Sequence, residues 1–463
     1  MSAPPRPRAE PARYRRPKVD APRRAAFDVL RAVDEQDAYA NLVLPNLLRE
    51  RGIVERDAAF ATELTYGTLR GRGTYDAVLE ACVDRPLAQV DAPVLDVLRL
   101  GAHQLLAMRV PSHAAVGETV ELARGVLGEG RAKFVNAVLR KVSDRDLDAW
   151  VAAVASAEDR IGYLATAHSH PRWVVQAFID ALRARGRATS ELDDLLAADN
   201  ARPQVTLVAR PGRSTVAELI ASGAQPGSWS PYAAAWPAGD PAEVPAVRER
   251  RAGVQDEGSQ LAALAFAAAA VDGDEHRWLD LCAGPGGKAA LLGALAAERG
   301  IRLTANELQP HRADLVRAAV GDTADVVVGD GRAGDWVPAS FDRVIADVPC
   351  TGLGALRRRP EARWRRQPTD IAGLAALQRE LLGAALDAAR PGGVVAYITC
   401  SPHVAETRVV VDDVLRRRAD VELIDARACM PGVSELGDGP DVQLWPHIHG
   451  TDAMYVALMR LPS

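Results

Sequence analysis

The amino-acid sequence predicts a multidomain protein. It reads as an all-α bundle on the N-terminal side, a small α/β linker domain, and a larger C-terminal α/β domain with a doubly wound, mostly parallel sheet. Three observations carry this. The chain has 463 residues, too many for one compact domain at roughly 100–200 residues each. Apolar residues keep helical spacing as far as residue 143. From Gly253 onward short apolar strands alternate with helices, the pattern of a parallel sheet covered on both faces. With 48% hydrophobic and 25% charged residues, collagen-like and wholly disordered chains are excluded.

Taken in order, residues 1–22 contain six prolines and little apolar periodicity, so they are expected to form a flexible arm. The arm is basic: residues 1–24 carry eight Arg or Lys against two acids, although the whole chain balances 56 basic residues against 61 acidic ones, net −5. Residues 23–145 form the bundle, with helical series at Phe27, Leu30 and Val33, at Leu95, Leu98, Ala102 and Leu105, at Val116, Val120, Ala123 and Leu127, and at Phe134, Val138 and Val142. Residues 146–250 read as the linker, with helices at 173–185 and 190–198, a strand at 204–209, and Gly/Pro/Ser loops over 222–245. In residues 251–463 strands are expected at 277–282, 302–306, 325–328, 343–348 and 394–399, then near 421–425 and 454–459. Order is expected to begin near Pro22.

Five cysteines, an odd number and widely spread, suit free thiols in a reducing cytoplasm better than a disulfide framework. No run of 18 apolar residues occurs, so neither membrane insertion nor secretion is expected, and the chain is assigned to the cytoplasm.

In doubly wound sheets ligands bind beyond the carboxyl ends of the strands, where the strand order switches. The first strand runs into Leu279-Asp280-Leu281-Cys282-Ala283-Gly284-Pro285-Gly286-Gly287-Lys288, a glycine turn opening a helix. It is neither G-x-G-x-x-G nor a P-loop, since alanine follows the lysine; a purely structural tight turn is the alternative. The second strand ends at Glu307, which could hold a ribose diol or could simply be solvated. The third delivers Asp330 between two glycines, suited to an adenine amine or to a turn. Three such groups after three successive strands point to a nucleoside ligand. The fourth strand leads into Asp347-Val348-Pro349-Cys350-Thr351-Gly352, and the fifth into Thr399-Cys400-Ser401-Pro402. A metal site fails on spacing, because no C-x-x-C occurs and His403 is the one imidazole nearby. Nucleophilic thiolate chemistry remains, and it requires a nearby cation or helix N-terminus. Lys288 stands too far away in sequence to be given that task. Cys82 and Cys429 read as buried apolar fillers.

The segments LDLCAGPGGKAA, DVPCTGLG and GGVVAYITCSPHVAE closely resemble the motifs of the RsmB/Sun (Fmu) family of RNA cytosine-5 methyltransferases, and VQDEGSQLAA and QLWPHIHGTDAMYVALM extend the resemblance. It covers residues 250–460. More diffusely, RRAAFDVLRAV and RAKFVNAVLRKVS resemble NusB-type RNA-binding domains. The resemblance implies a NusB-like bundle followed by a Rossmann-like methyltransferase domain that uses S-adenosyl-L-methionine. The RNA would be small-subunit rRNA, with tRNA or large-subunit rRNA as alternatives. It implies that Cys282, Ala283, Gly284, Pro285, Gly286, Gly287 and Lys288 wrap the methionine part of the cofactor, that Glu307 holds the ribose, and that Asp330 meets the adenine. Asp347 would line the cofactor and cytosine pocket, Cys400 would be the nucleophile, and Cys350 would help to release the product. The sequence departs from the family in two places. Gly284 stands where a second alanine is usual, a change expected only to relax the backbone. Glu307 stands where Asp is commoner, which keeps the charge and lengthens the reach.

Directly after the Pro-Cys motif, Arg357, Arg358, Arg359, Arg363, Arg365 and Arg366 surround Trp364, with Glu361 as the one acid among them. Such a segment suits phosphate contacts and stacking on an unpaired base, or is a solvated Arg-rich loop. A non-catalytic RNA-binding or transcription-associated protein is opposed by the intact cysteines, and a nicotinamide dehydrogenase by the missing G-x-G-x-x-G.

Overall fold

The computed structural model describes residues 19–463, so residues 1–18 of the basic arm expected over 1–22 lie outside the described residues. The chain forms two compact units, one ending at Ser169 and one running from His170 to Ser463.

The first unit is entirely helical among its described residues. Its helices run Ala21–Gln36, Ala40–Glu50, Glu55–Cys82, Ala92–Leu106, Ser112–Leu127, Glu129–Val142, Leu147–Val154 and Arg160–Ala167. Order begins slightly before the expected Pro22, because Asp20 accepts a hydrogen bond from the Arg23 amide and caps the first helix, and Pro22 sits in the first turn, where a missing N–H costs nothing. Phe27, Leu30, Val33, Leu98, Ala123 and Val138 share one buried cluster, as their spacing predicts. The last short helix is tied to the long third one: Thr74 donates to the Thr166 carbonyl, and the Ser169 hydroxyl accepts from the Gly73 amide. Residues 146–169 therefore pack with the bundle.

The second unit begins with helices Arg172–Ala184 and Leu192–Asn200 and a four-stranded antiparallel sheet. Its strands β1 (Val205–Ala209), β2 (Gln225–Pro226), β3 (Ala233–Trp236) and β4 (Ala252–Val254) lie in the order β2-β3-β1-β4. β2 to β4 are two to four residues long, too short to show a period in sequence.

The larger sheet contains β5 (Arg277–Asp280), β6 (Arg302–Glu307), β7 (Ala324–Val328), β8 (Phe341–Asp347), β9 (Ala389–Thr399), β10 (Glu422–Ile424), β11 (Val442–Gln443) and β12 (Tyr455–Arg460). Its order is β10-β12-β9-β8-β5-β6-β7, with β11 on β12. β9, β8, β5, β6 and β7 are parallel, while β10, β11 and β12 add an antiparallel edge. Helices cover both faces, burying Leu291, Leu292 and Leu295 on one side and Leu381, Leu382 and Leu386 on the other. From β5 the chain passes to β6 and β7 on one side and to β8 and β9 on the other, so the order switches between β5 and β8. The turns after these two strands face the same crevice.

Candidate active site

The turn after β5 is held from behind. The Asp280 carboxylate, 1% exposed, accepts from the Cys282 amide at 3.3 Å through Oδ1, while Oδ2 has no hydrogen-bond partner among the described residues. Burial, with Asp347 adding to it, pushes the Asp280 carboxyl up to about 7. Gly286 has φ 109°, and a Cβ there would lie 2.8 Å from Ala319 Cβ and 3.0 Å from Val316 Cα, so only glycine fits. Lys288, in the first turn of helix Gly287–Glu298, reaches across 59 residues of sequence to Asp347 at the end of β8, with Nζ–Oδ2 2.9 Å. Burial opposes the ammonium charge, but Asp347 above all, with negative charge on Cys400 and Asp280 adding to it, overcomes this and raises the Lys288 pKa.

Glu307, 4% exposed at the end of β6, accepts from the Gly284 amide at 3.0 Å and the Gln309 amide at 2.9 Å, with Arg312 3.8 Å away. A Cβ on residue 284 would stand 2.0 Å from Glu307 Oε2. The two departures from the family pattern are thus one adjustment: the longer acid occupies the room that an alanine methyl would take. Gly284 does more than relax the backbone. Asp330 caps the turn Gly331–Ala333 and pairs with Arg332, which also reaches Glu380 at 2.8 Å. The Arg332 hydrogen bond holds its carboxyl below the usual range.

The turns after β8 and β9 bring Cys350 Sγ to 3.4 Å from Cys400 Sγ. Their acidities diverge. The hydrogen bond with Cys350 lowers the Cys400 pKa, with Lys288 helping and with burial, Asp347 and Asp452 opposing. The same bond, then burial and the neighbouring charges, pushes the Cys350 thiol well up. Either sulfur can be the donor in this bond, and Lys288 is a cation that favours ionisation at Cys400. Lys288, set aside in the sequence on grounds of distance, is one of the cations acting on Cys400. Cys282 is raised chiefly by burial and packs against the core, as Cys82 and Cys429 do in theirs.

Glu406, fully buried, clamps the two cysteine turns together, and sequence reasoning missed it. Its carboxylate accepts from the Thr351 amide at 2.8 Å, from the Thr351 hydroxyl, from the Ser401 hydroxyl at 2.7 Å and from Gln378 Nε2 at 3.2 Å. Gln378 also donates to the Pro349 carbonyl at 2.8 Å. The only signal was an acid six residues past Cys400 in a turn with no evident purpose. The Gly354 amide donates to the Cys400 carbonyl at 2.8 Å, and a Cβ there would meet the Ala453 carbonyl oxygen at 2.3 Å.

The arginine segment differs from the expected phosphate-binding loop. It folds into short turns, Leu353–Ala355 and Ala362–Arg365, packed into the domain. Arg357 is 8% exposed with Asp256 at 3.4 Å; Arg358 pairs with Asp452; Arg363 is fully buried, donating to Asn200 Oδ1 at 2.7 Å and the Asp199 carbonyl at 2.9 Å. Arg359 and Arg365 also engage other residues of the chain, and Trp364 and Arg366 are half-buried. Nothing marks a buried arginine in the sequence when its partner lies 94 to 164 positions away.

Among the described residues no group of three or more His, Cys, Asp or Glu is arranged to hold a metal ion, and no helix is long and apolar enough to cross a membrane.

Comparison with known proteins agrees with this geometry. A family model described as 16S rRNA methyltransferase RsmB/F matches residues 268–460, and the NusB family model matches residues 20–144. Two relatives from Mycobacterium tuberculosis, each named a putative methyltransferase, are 56% identical over 96% of this chain and 98% of their own. The ribosomal RNA small subunit methyltransferase B of Vibrio cholerae is 32% identical over 94% of this chain and 96% of its own. Among solved structures, PH0851 superposes with a TM-score of 0.78 at 20% identity, covering 95% of this chain and 98% of that one, which is a likeness of fold.

Proposed function

Because the chain belongs to the RsmB/F family of 16S rRNA methyltransferases, we propose that it methylates carbon 5 of a cytosine in small-subunit rRNA through a covalent adduct between Cys400 and carbon 6. The observation that supports this best is the pair of thiols 3.4 Å apart after the adjacent parallel strands β8 and β9, with the Lys288 charge favouring ionisation of Cys400.

The crevice fits S-adenosyl-L-methionine. Asp280 has an oxygen without a partner among the described residues, and in the glycine turn a Cβ on Gly287 would meet nothing nearer than Gln255 at 3.9 Å. Residues Cys282, Ala283, Gly284, Pro285, Gly286, Gly287 and Lys288 would hold its methionine part, Glu307 its ribose and Asp330 its adenine. Bound there, the cofactor supplies an electrophilic methyl group on a sulfonium.

The remaining chemistry belongs to the chain. Carbon 5 of cytosine is a weak nucleophile within an aromatic ring. Addition of the Cys400 thiolate to carbon 6 makes carbon 5 enamine-like and divides one hard step into two easier ones. Asp347, fixed by Lys288, is the group for ring nitrogen 3, where hydrogen bonding favours the addition. Once the Cys400 sulfur is bonded to carbon, its negative charge no longer opposes ionisation of Cys350. Cys350 can then give its proton to solvent and, as thiolate, take the carbon 5 proton, directly or through a water; the freed electron pair restores the C5–C6 double bond and Cys400 leaves as thiolate. Arg359, Trp364, Arg365 and Arg366 are the members of the arginine segment proposed to meet the RNA, where a target base has to leave its stack.

Bisulfite sequencing of rRNA and tRNA from a deletion strain tests the assignment. One 5-methylcytosine missing from small-subunit rRNA is expected; an intact small-subunit pattern with a loss in tRNA or large-subunit rRNA would overturn it.

A further inference from the structure

Two of the family-like segments, VQDEGSQLAA and QLWPHIHGTDAMYVALM, contain no residue assigned so far to cofactor binding or to the reaction. The fold brings one acid from each together beside the thiols. Asp256, 7% exposed, caps helix Glu257–Ala268: its Oδ1 accepts from the Gly258 amide at 3.0 Å and from the Asp452 amide at 3.0 Å. Asp452 is itself 1% exposed, and its carboxylate receives Arg358 Nε at 2.9 and 3.1 Å and Arg358 Nη2. Its neighbour Ala453 donates to the Gly354 carbonyl at 2.8 Å, and Gly354 donates to the Cys400 carbonyl at 2.8 Å. Backbone hydrogen bonds therefore stitch the turn before Arg358, the segment of Asp452 and the turn of Cys400 into one unit.

Arg358 differs from its neighbours Arg357 and Arg363. Its side chain is 35% exposed, while the acid behind it is almost wholly covered. One edge of the guanidinium is fixed on Asp452, and Nη1 has no hydrogen-bond partner among the described residues. The Arg358 and Cys400 charges favour one another, as do those of Lys288 and Cys400. A phosphate contact does not call for an arginine held by a buried carboxylate; a fixed donor aimed at one atom does.

We propose that Arg358, aimed by Asp452 and by Asp256 behind it, donates from Nη1 to the C2 carbonyl oxygen of the target cytosine. The inference rests on the reading of Cys400 as nucleophile. In the addition the sulfur electron pair forms the S–C6 bond. The C5–C6 π pair moves to C5 and, through C4, onto N3 and the C2 oxygen. No group leaves and nothing is oxidised. Negative charge therefore grows at the C2 oxygen during this step, and the guanidinium proposed to meet it is already oriented on Asp452 and needs no reorganisation. Asp452 and Asp256 are positioning residues.

The test compares single-turnover methylation of small-subunit rRNA transcripts made with cytidine or with 2-thiocytidine, whose sulfur is a poor acceptor, by the full-length wild type, Arg358→Ala and Asp452→Asn. The wild type is expected to slow by about 10- to 100-fold on the thio transcript, the worth of one hydrogen bond from a charged donor. Arg358→Ala is expected to lose a similar factor on the ordinary transcript and little more on the thio transcript, with cofactor affinity by calorimetry unchanged. Asp452→Asn should show the same pattern, weaker. Equal penalties for wild type and Arg358→Ala on changing the transcript, or a wild type indifferent to the change, overturn the proposal; the first result would move Arg358 to the phosphates. If Arg358→Ala fails to bind cofactor, Arg358→Lys replaces it, keeping the charge but not the fork. A Cys400→Ser variant that still methylates would overturn the nucleophile reading instead, and the transcript comparison would still decide the arginine.

Discussion

Replacing Asp280 by asparagine should flatten part of the pH dependence of stability. The side chain is 1% exposed, one oxygen has no partner among the described residues, and burial with the Asp347 charge raises its carboxyl to about 7. A raised folded value means that the native chain binds this proton more tightly than the unfolded chain. The stabilisation is complete below the unfolded value of about 3.9 and is lost as pH rises through 7. At about 1.4 kcal/mol per pH unit, the wild type should lose about 3 kcal/mol through this one group between pH 5 and pH 8. The asparagine side chain keeps the acceptor for the Cys282 amide and does not titrate. The other raised acids, Asp96, Asp199 and Asp256, titrate alike in both proteins and cancel from the difference. Urea unfolding of the cofactor-free chain, followed by tryptophan fluorescence, isolates the relevant unit, because seven of the eight tryptophans lie after His170. The stability difference should shift by about 3 kcal/mol in favour of the Asp280→Asn variant from pH 5 to pH 8. Parallel curves at the two pH values would show that Asp280 does not titrate there.

Lys288→Met should slow iodoacetamide alkylation of Cys400 at pH 7 and weaken cofactor binding, since a cation that favours the thiolate and holds Asp347 is gone; unchanged rates would reduce the turn to a structural element. Gly284→Ala alone should weaken cofactor binding by driving a methyl into Glu307, and Gly284→Ala with Glu307→Asp should recover most of it; equal losses in single and double variants would separate the two positions. Arg363→Met should destabilise the chain by about 3 kcal/mol, the cost of losing charged hydrogen bonds in a closed site. It should leave the salt dependence of RNA binding as it was; a shallower salt slope would mean that Arg363 reaches phosphate.

The parallel strands were legible because they are short apolar runs ending in Asp280, Glu307, Asp347 and Thr399, and the glycines and cysteines that follow them fall at the switch between β5 and β8. Periodicity reports which face is buried but carries no information on which distant side chain meets which. That is why the Lys288–Asp347 pair, the Glu406 clamp and the Asp256–Asp452–Arg358 chain came only from the fold. It is also why the arginine segment looked uniformly suited to phosphate. Composition cannot separate Arg363, fully buried against Asp199 and Asn200, from Arg366, which is half-buried. Of the small sheet only β1, expected over 204–209, was legible; β2 to β4 are too short to show alternation.

The assignment of the two thiols is tested most directly by incubating cofactor and small-subunit rRNA with the wild type, Cys350→Ala and Cys400→Ser, then resolving each mixture under denaturing conditions. A protein–RNA adduct stable to denaturation should accumulate with Cys350→Ala, and Cys400→Ser should give neither adduct nor 5-methylcytosine. An adduct trapped by Cys400→Ser and absent from Cys350→Ala would exchange the roles of the two cysteines, and methylation by Cys400→Ser without any adduct would contradict covalent catalysis at this site.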